Sequence, residues 1–183
     1  MNVWFSSDWH LNHEDMIHFV NYDGYKVRPE FASLKEMNEY LIDRHNEFVR
    51  PNDKFYHLGD VGFNRQELEK QLPRMQGKKR LILGNHDVYK MSWYEQFFHK
   101  ILVSWRPKRA LIFTHFPIRI GVDGQKLKAN VHGHIHRQKI DDKRYLNISV
   151  EMTGYRPLHY DEIIQHYKNQ DIQVEKDNDS THD

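Results

Sequence analysis

The chain of 183 residues contains no cysteine. That absence excludes disulfides and thiolate metal sites together. No apolar run approaches the ~18 residues that a membrane-spanning helix needs. Neither sign of charge dominates, since 27 Lys and Arg stand against 26 Asp and Glu, a net of +1. Composition therefore excludes a strongly basic nucleic-acid binder. Three local basic clusters remain, Lys78-Lys79-Arg80, Arg106 to Arg109 and Lys143-Arg144, and each reads as the solvated start of a strand. No signal peptide precedes Val3, so a cytoplasmic location is expected. No linker and no internal repeat divides the chain, and its length fits a single domain, expected over residues 1–168. Residues 169–183 hold five acids, one Lys and little apolar content. They are expected to form a polar, acidic tail, to which Ile172 and Val174 could add a short edge strand.

What is abundant is histidine, with 14 in the chain. Many of these lie in a repeated pattern. Six short apolar runs each end in residues that can bind a metal or move a proton. Val3-Trp4-Phe5 precedes Asp8 and His10. Phe55 to Leu58 precedes Gly59-Asp60. Leu81-Ile82-Leu83 precedes Gly84-Asn85-His86-Asp87, and Leu111-Ile112-Phe113 precedes Thr114-His115. Val131 precedes His132 to His136, and Leu146 leads into Asn147-Ile148-Ser149-Val150-Glu151. Short apolar runs with polar punctuation read as buried strands. In α/β sheets ligands gather at the carboxyl ends of strands, so distant segments deliver Asp, His and Asn to one rim.

The donor types select the metal. Mixed oxygen and imidazole ligands suit Mn, Fe, Zn, Ni or Co, whereas purely oxygen sets suit Mg and Ca. Asp8, His10, Asp60, Asn85, His115, His134 and His136 exceed what one tetrahedral site takes. Sharing one carboxylate, they would fill two sites. His134 and His136 would point to opposite faces of a regular strand. They can serve two ions only if the backbone turns, which Gly133 allows. The other histidines read as structural: His18, His45, His99, His159, His166 and His182 for surface or packing, His57 and His132 as satisfied core residues.

Between the strands lie helical signatures. Ser33 with Glu36 forms a capping box, followed by Leu34, Met37, Leu41 and Phe48 on one face to about Val49. Asn64 with Glu67 caps a second helix to about Pro73, Ser92 with Glu95 a third, and a last covers Asp161 to Tyr167. Alternating helices and strands give the α/β class. The Gly- and Pro-punctuated stretch from His13 to Pro51 is longer than the fold needs. The loop holds Tyr22, Tyr25, Lys26 and Arg28, and such loops carry substrate contacts, here by Arg28 or a Tyr. Phe116, Arg119 and Tyr155 flank the motifs and are comparable candidates.

The order D-x-H at 8–10, G-D at 59–60, G-N-H-D at 84–87, H at 115 and G-H-x-H at 133–136 resembles the calcineurin-like metallophosphoesterase superfamily. The match runs from residue 6 to about residue 136. The resemblance implies two packed sheets flanked by helices, a four-layer sandwich. It implies that Asp8, His10, Asp60 and His136 hold one metal. Asp60, Asn85, His115 and His134 would hold the other, with Asp60 bridging. His86 would act as general acid or stabilise the transition state, and Asp87 would orient its imidazole. A second His after D-x-H and an S-V-E stretch also resemble small prokaryotic and phage members, here His13 and Ser149-Val150-Glu151. Trp9, unusual inside D-x-H, would narrow the pocket.

The chemistry follows from the charge problem of a phosphate ester. Two cations neutralise the anion, orient it, and lower the pKa of a bridging water whose hydroxide attacks phosphorus in line. An imidazole serves the leaving oxygen. The expected cofactors are two divalent ions, Mn first, with Fe, Ni, Zn or Co as alternatives. The expected substrate is a small phosphodiester, with a nucleotide as candidate. His13, Arg28, Arg119 and Tyr155 are the substrate-contact candidates. No membrane partner and no stable nucleic-acid complex is expected. A catalytically weak scaffold of the same fold and a nuclease are the alternatives. The first would have lost His86 or several ligands, and the second calls for a basic groove.

Overall fold

The computed structural model describes residues 1–20, 24–108, 110–121 and 126–174. Tyr22, Arg109, His182 and the tail beyond Val174 lie outside the described residues.

Two mixed sheets carry the molecule, flanked by helices, as the resemblance implied. In the first, β1 (Val3–Ser6), β2 (Lys54–His57), β3 (Lys78–Ile82) and β4 (Lys100–Leu102) run parallel in the order β4-β3-β2-β1. β9 (Leu158–His159) closes the far edge antiparallel to β1. The second sheet holds β5 (Trp105–Lys108), β6 (Leu111–Phe113), β7 (Ala129–His132) and β8 (Tyr145–Asn147) in sequence order, with only the β5–β6 pair antiparallel.

Side-chain alternation along these strands decides what each face covers. Phe5, Tyr56 and Ile82 point into a core shared with Leu111, Phe113, Ala129 and Val131 of the second sheet. Phe5 stacks on Phe113 at 4.4 Å between ring centres, so aromatic contact joins the sheets directly. Phe55 and Leu81, one residue out of phase, face a second core with Met37, Leu41 and Leu68. Those last residues belong to α1 (Leu34–Phe48) and α2 (Arg65–Gln71). α1 begins at the expected cap, where Ser33 Oγ accepts the Glu36 N–H at 3.2 Å, but Glu36 reaches one residue further back, to the Ala32 N–H, so the box is not closed on Ser33. Asn64 Oδ1 accepts the Glu67 N–H at 3.4 Å and opens α2.

Four expectations fail locally. The third helix, α3 (Met91–Tyr94), starts two residues early with Lys90 as its cap, and Ser92 sits inside it. Buried Trp93 and Tyr94 anchor that turn, so packing overrides the capping signature. Lys79 and Arg80 are not solvated strand starts but lie buried within β3. Lys79 Nζ donates to the Leu72 and Met75 carbonyls, neutralising the end of the α2 segment, and Arg80 lies over the Tyr56 ring. The ordered body also continues past residue 168. Ile172 and Val174 are buried in the inter-sheet core beyond α4 (Tyr160–Lys168), without joining a sheet. His57 is a core residue but not a satisfied one, because neither ring nitrogen has a partner. No helix among the described residues is long and apolar enough to cross a membrane.

Candidate metal centre

All seven candidate ligands follow strand ends on one rim. Asp8 and His10 follow β1, Asp60 follows β2, Asn85 follows β3, His115 follows β6, and His134 and His136 follow β7. The chain turns sharply at each place. Asp8, His10, Asp60, His134 and His136 have φ of 59°, 49°, 59°, 71° and 49°, in the left-handed region. A non-glycine residue there costs roughly 1–2 kcal/mol. Such strain collects where geometry serves function. It also resolves the problem of the i, i+2 pair: the turns at His134 and His136 themselves break the strand alternation.

Glycine enters for a different reason than expected. Gly133 does not adopt positive φ, so it is not the hinge. It is needed for close approach, since a Cβ there would strike Ser7 Oγ and Asp8 Oδ2. Gly84 is constrained in the same way by the Asp60 carboxylate and backbone.

The ligand atoms form two groups. Asp8, His10 and His136 present donor atoms within 4.8 Å of one another, and Asp60, His115 and His134 do the same. His10 Nε2 lies 3.5 Å from Asp60 Oδ2, and His115 Nε2 lies 3.4 Å from that same oxygen. One carboxylate oxygen therefore stands between the two groups. Asn85 Oδ1 joins the second at 3.0 Å from His115 Nε2.

Hydrogen bonds leave the right lone pairs free. The His115 Nδ1–H donates to the Leu58 carbonyl at 2.7 Å and the His136 Nδ1–H to Glu151 Oε1 at 3.1 Å. In each case this leaves Nε2 as the nitrogen for a metal, though without one the His115 Nε2–H donates to Asn85 Oδ1. His10 is buried with both ring nitrogens unpartnered. A buried polar atom without a partner is costly, and a divalent ion at Nε2 would remove that cost. The residues present thus fit a dinuclear centre.

The metal-free charge state agrees. Burial, with the neighbouring cations, holds the His10 pKa well below the usual imidazole range. Burial also pushes on His115 and His136, but the carboxylates of Asp60 and Glu151 outweigh it and raise both. Burial raises Asp8, and it works against Asp60, whose pKa the His115 ring and the His86 N–H hold low. Ions entering such a cluster displace protons.

The other predicted site residues divide. His86 stands at the rim, half-buried, its ring 5.4 Å from His10 and 5.3 Å from Phe63. Its backbone N–H donates to Asp60 Oδ1 at 2.8 Å. His13 packs tilted against Phe63 at 4.2 Å and stacks on His10 at 5.4 Å, which puts it on the same wall. Phe63 escaped notice because it follows a glycine in a segment without periodicity. Phe116, 43% exposed, packs on His134 at 4.5 Å. Arg119 stays exposed on the segment after His115.

Four assignments are corrected. Asp87 does not orient the imidazole of His86: Oδ2 accepts the Asp60 and Gly84 N–H groups at 2.8 Å each, and Oδ1 accepts that of Val61 at 3.0 Å. It clamps the Asp60 turn to the turn after β3. Arg28 is not at the mouth but wholly buried against Glu151. Tyr155 is also buried, its hydroxyl donating to Glu30 at 2.8 Å. Trp9 turns inward, its Nε1–H on Ser6 Oγ at 2.8 Å, and so does not narrow the pocket.

The profile of the calcineurin-like phosphoesterase family matches residues 1–181. The chain belongs to that family. Family membership supports a metal-dependent phosphoesterase in general, and the family uses a dinuclear metal centre. An uncharacterized protein of Methanocaldococcus jannaschii is 29% identical over 175 residues, covering 89% of each chain. The gene 66 protein of Mycobacterium phage D29 is 33% identical over 90 residues, which span 47% of this chain and 40% of that protein. The crystal structure of a protein of unknown function from Aquifex aeolicus superposes with a TM-score of 0.70 at 23% identity, covering 90% of this chain and 98% of that one. That likeness concerns the fold.

Proposed function

We propose that the protein hydrolyses small phosphodiesters, nucleotide-like in character, in the cytoplasm. Asp8, His10, Asp60 and His136 would hold one divalent ion, and Asp60, Asn85, His115 and His134 the other. The observation that carries this reading is the single Asp60 oxygen set between His10 and His115. When bound, two such ions would neutralise the phosphoryl charge and bring the pKa of a shared water toward neutrality. Manganese is the favoured metal, because imidazole and carboxylate donors in this mixture suit it and thiolates are absent.

The chain's own groups do the rest. Asn85 is neutral, so it adds a donor without adding negative charge against an anionic substrate. His86 lies beside the first group on an open wall, where its imidazole can give a proton to the departing ester oxygen or steady its charge. Asp87 keeps the His86 segment in register with Asp60 through three backbone bonds.

A diester is favoured by what the site lacks in fixed cations. A monoester dianion calls for clamping beyond the ions. Of the described arginines near the motifs, Arg28 is committed to buried Glu151 and Arg65 to Glu69, which leaves Arg119 as a lone exposed cation and no clamp among the described residues. The second ester arm needs a surface, and Phe116 offers an exposed aromatic face beside His134. Stacking a base on such a face contributes ~1–3 kcal/mol.

The test is a panel of aryl and nucleotide mono- and diesters, assayed with Mn, Ni, Fe, Zn and Mg in turn. Chelation should abolish hydrolysis, and Mn should restore it at least as well as Mg. Diesters should exceed matched monoesters in kcat/KM. A metal-loaded protein inert toward the whole panel contradicts the enzymatic reading, and a tenfold monoester preference contradicts the diester part.

A further inference from the structure

Behind His136 lies an ion pair that the chemistry above does not use. Arg28 and Glu151 are both fully buried, with Nε and Oε1 2.8 Å apart. They are 123 residues apart in sequence. Burying two charges costs several kcal/mol per ion unless both are well partnered. Arg28 is: Nη1 donates to the Trp9 carbonyl at 2.7 Å and Nη2 to the Asp8 carbonyl at 2.5 Å. These are the carbonyls of the left-handed turn that presents Asp8. Glu151 is not so complete. Oε1 takes both Arg28 and the His136 Nδ1–H, while Oε2 is buried without a partner. A carboxylate kept for packing alone would pair both oxygens.

A second ring of contacts straps this pair in place. Arg137 Nε donates to the Val27 carbonyl at 2.6 Å and Nη2 to Glu30 Oε1 at 2.9 Å. Glu30 Oε2 accepts the Tyr155 hydroxyl. The loop that carries Arg28 is thus fastened to the His136 turn through Arg137 and to the segment after Glu151 through Tyr155.

We propose that Glu151, steadied by Arg28, is a positioning residue that fixes His136 as a ligand of the first ion. This rests on the dinuclear reading above. A carboxylate on Nδ1–H sets the tautomer, fixes the ring plane and makes Nε2 a stronger donor. His115 in the second group has only a neutral carbonyl in that place. Glu151 therefore serves one ion and not the other.

The experiment titrates Mn(II) alone into the metal-free full chain, by calorimetry and by electron paramagnetic resonance. Four proteins are compared: wild type, Glu151→Gln, His136→Ala and the double variant of these two. Wild type should take up two ions as a spin-coupled pair. Glu151→Gln should weaken one ion by about 10–100-fold and leave the other unchanged, giving an isolated Mn(II) signal. In the His136→Ala background the Glu151 change should add nothing. Since Glu151→Gln leaves Arg28 as a buried unpaired cation, Arg28→Met/Glu151→Gln is measured beside it. That variant removes both charges and should show the same selective loss, with thermal unfolding in chelator reporting the fold. Equal weakening of both ions, additive losses in the His136→Ala background, or unchanged affinity in the charge-free variant would each overturn the proposal. A wild type that takes up no Mn(II) overturns the dinuclear reading and this inference with it, whereas wild-type uptake with any of the other outcomes overturns this inference alone.

Discussion

The two halves of the metal centre are built differently. Asp8 and His10 of the first group are buried, and His136 is backed by the Arg28–Glu151 pair. In the second group Asn85 is exposed, His134 is half-exposed, and His115 leans on a main-chain carbonyl. The first group is anchored by charge inside the protein. The second opens toward solvent at Asn85 and His134 beside Phe116, while His115 and Asp60 stay buried. The difference separates a group fixed from behind by a buried ion pair from one whose exposed members border the rim. Asp60 ties the two together through one oxygen.

The largest effect should come from destroying the shared element without touching a ligand. Gly84→Ala puts a methyl against the Asp60 carboxylate and backbone. It should lower activity on the order of 10³-fold, and metal analysis should show both groups depleted. Full metal content in this variant would break the claim that both groups depend on the placement of Asp60. Next in size is His86→Ala, expected to slow hydrolysis by roughly 100-fold with both ions retained. Ion loss there would make His86 part of the first group rather than its neighbour.

Smaller effects sharpen the contrast. Phe116→Ala should raise KM for nucleotide and aryl diesters about tenfold, with kcat little changed, as the loss of one stacking surface would. Equal effects on aliphatic and aryl esters would remove Phe116 from substrate contact. Acid tests the core behind the first group. His45 and His57 flank Trp9, and burial depresses them to about 4 and about 3. Unfolded, both titrate near ~6.5. A histidine depressed in the fold contributes fully above its unfolded pKa and is lost as pH falls toward the folded value. Together they should cost a few kcal/mol of stability between pH ~6.5 and ~4, read as falling melting temperature. Replacing both by Phe should flatten that slope.

Much of this was legible in the sequence, and the reasons are physical. Apolar runs that end in Asp, His or Asn mark strand ends, because the pleat buries one part and the sheet edge exposes the next. That located β1, β2, β3, β6 and β7 and the ligands after them. The resemblance supplied the division into two groups. Side chains of irregular segments were not legible. Arg28 and Tyr155 lie in stretches without periodicity, where nothing separates a residue that reaches solvent from one that folds back beneath the ligands. Trp9 sits between two ligands, and only the left-handed backbone at Asp8 and His10 turns it inward. Asp87 follows a candidate acid in sequence, which suggested a side-chain partner, whereas its bonds go to the main chain of another strand's turn. Gly133 was read for flexibility, but the constraint is Ser7 and Asp8 just after β1, which no local pattern reveals.

The measurement that tests the account most directly is metal content of Asp60→Asn beside wild type, after loading with Mn(II) and gel filtration. If one oxygen of Asp60 bridges both groups, the wild type should retain two ions per chain. The variant should lose the coupled pair and most of its activity while keeping its fold. A variant that still holds two coupled ions would contradict the bridge, and a wild type that retains fewer than two ions would contradict the dinuclear centre proposed here.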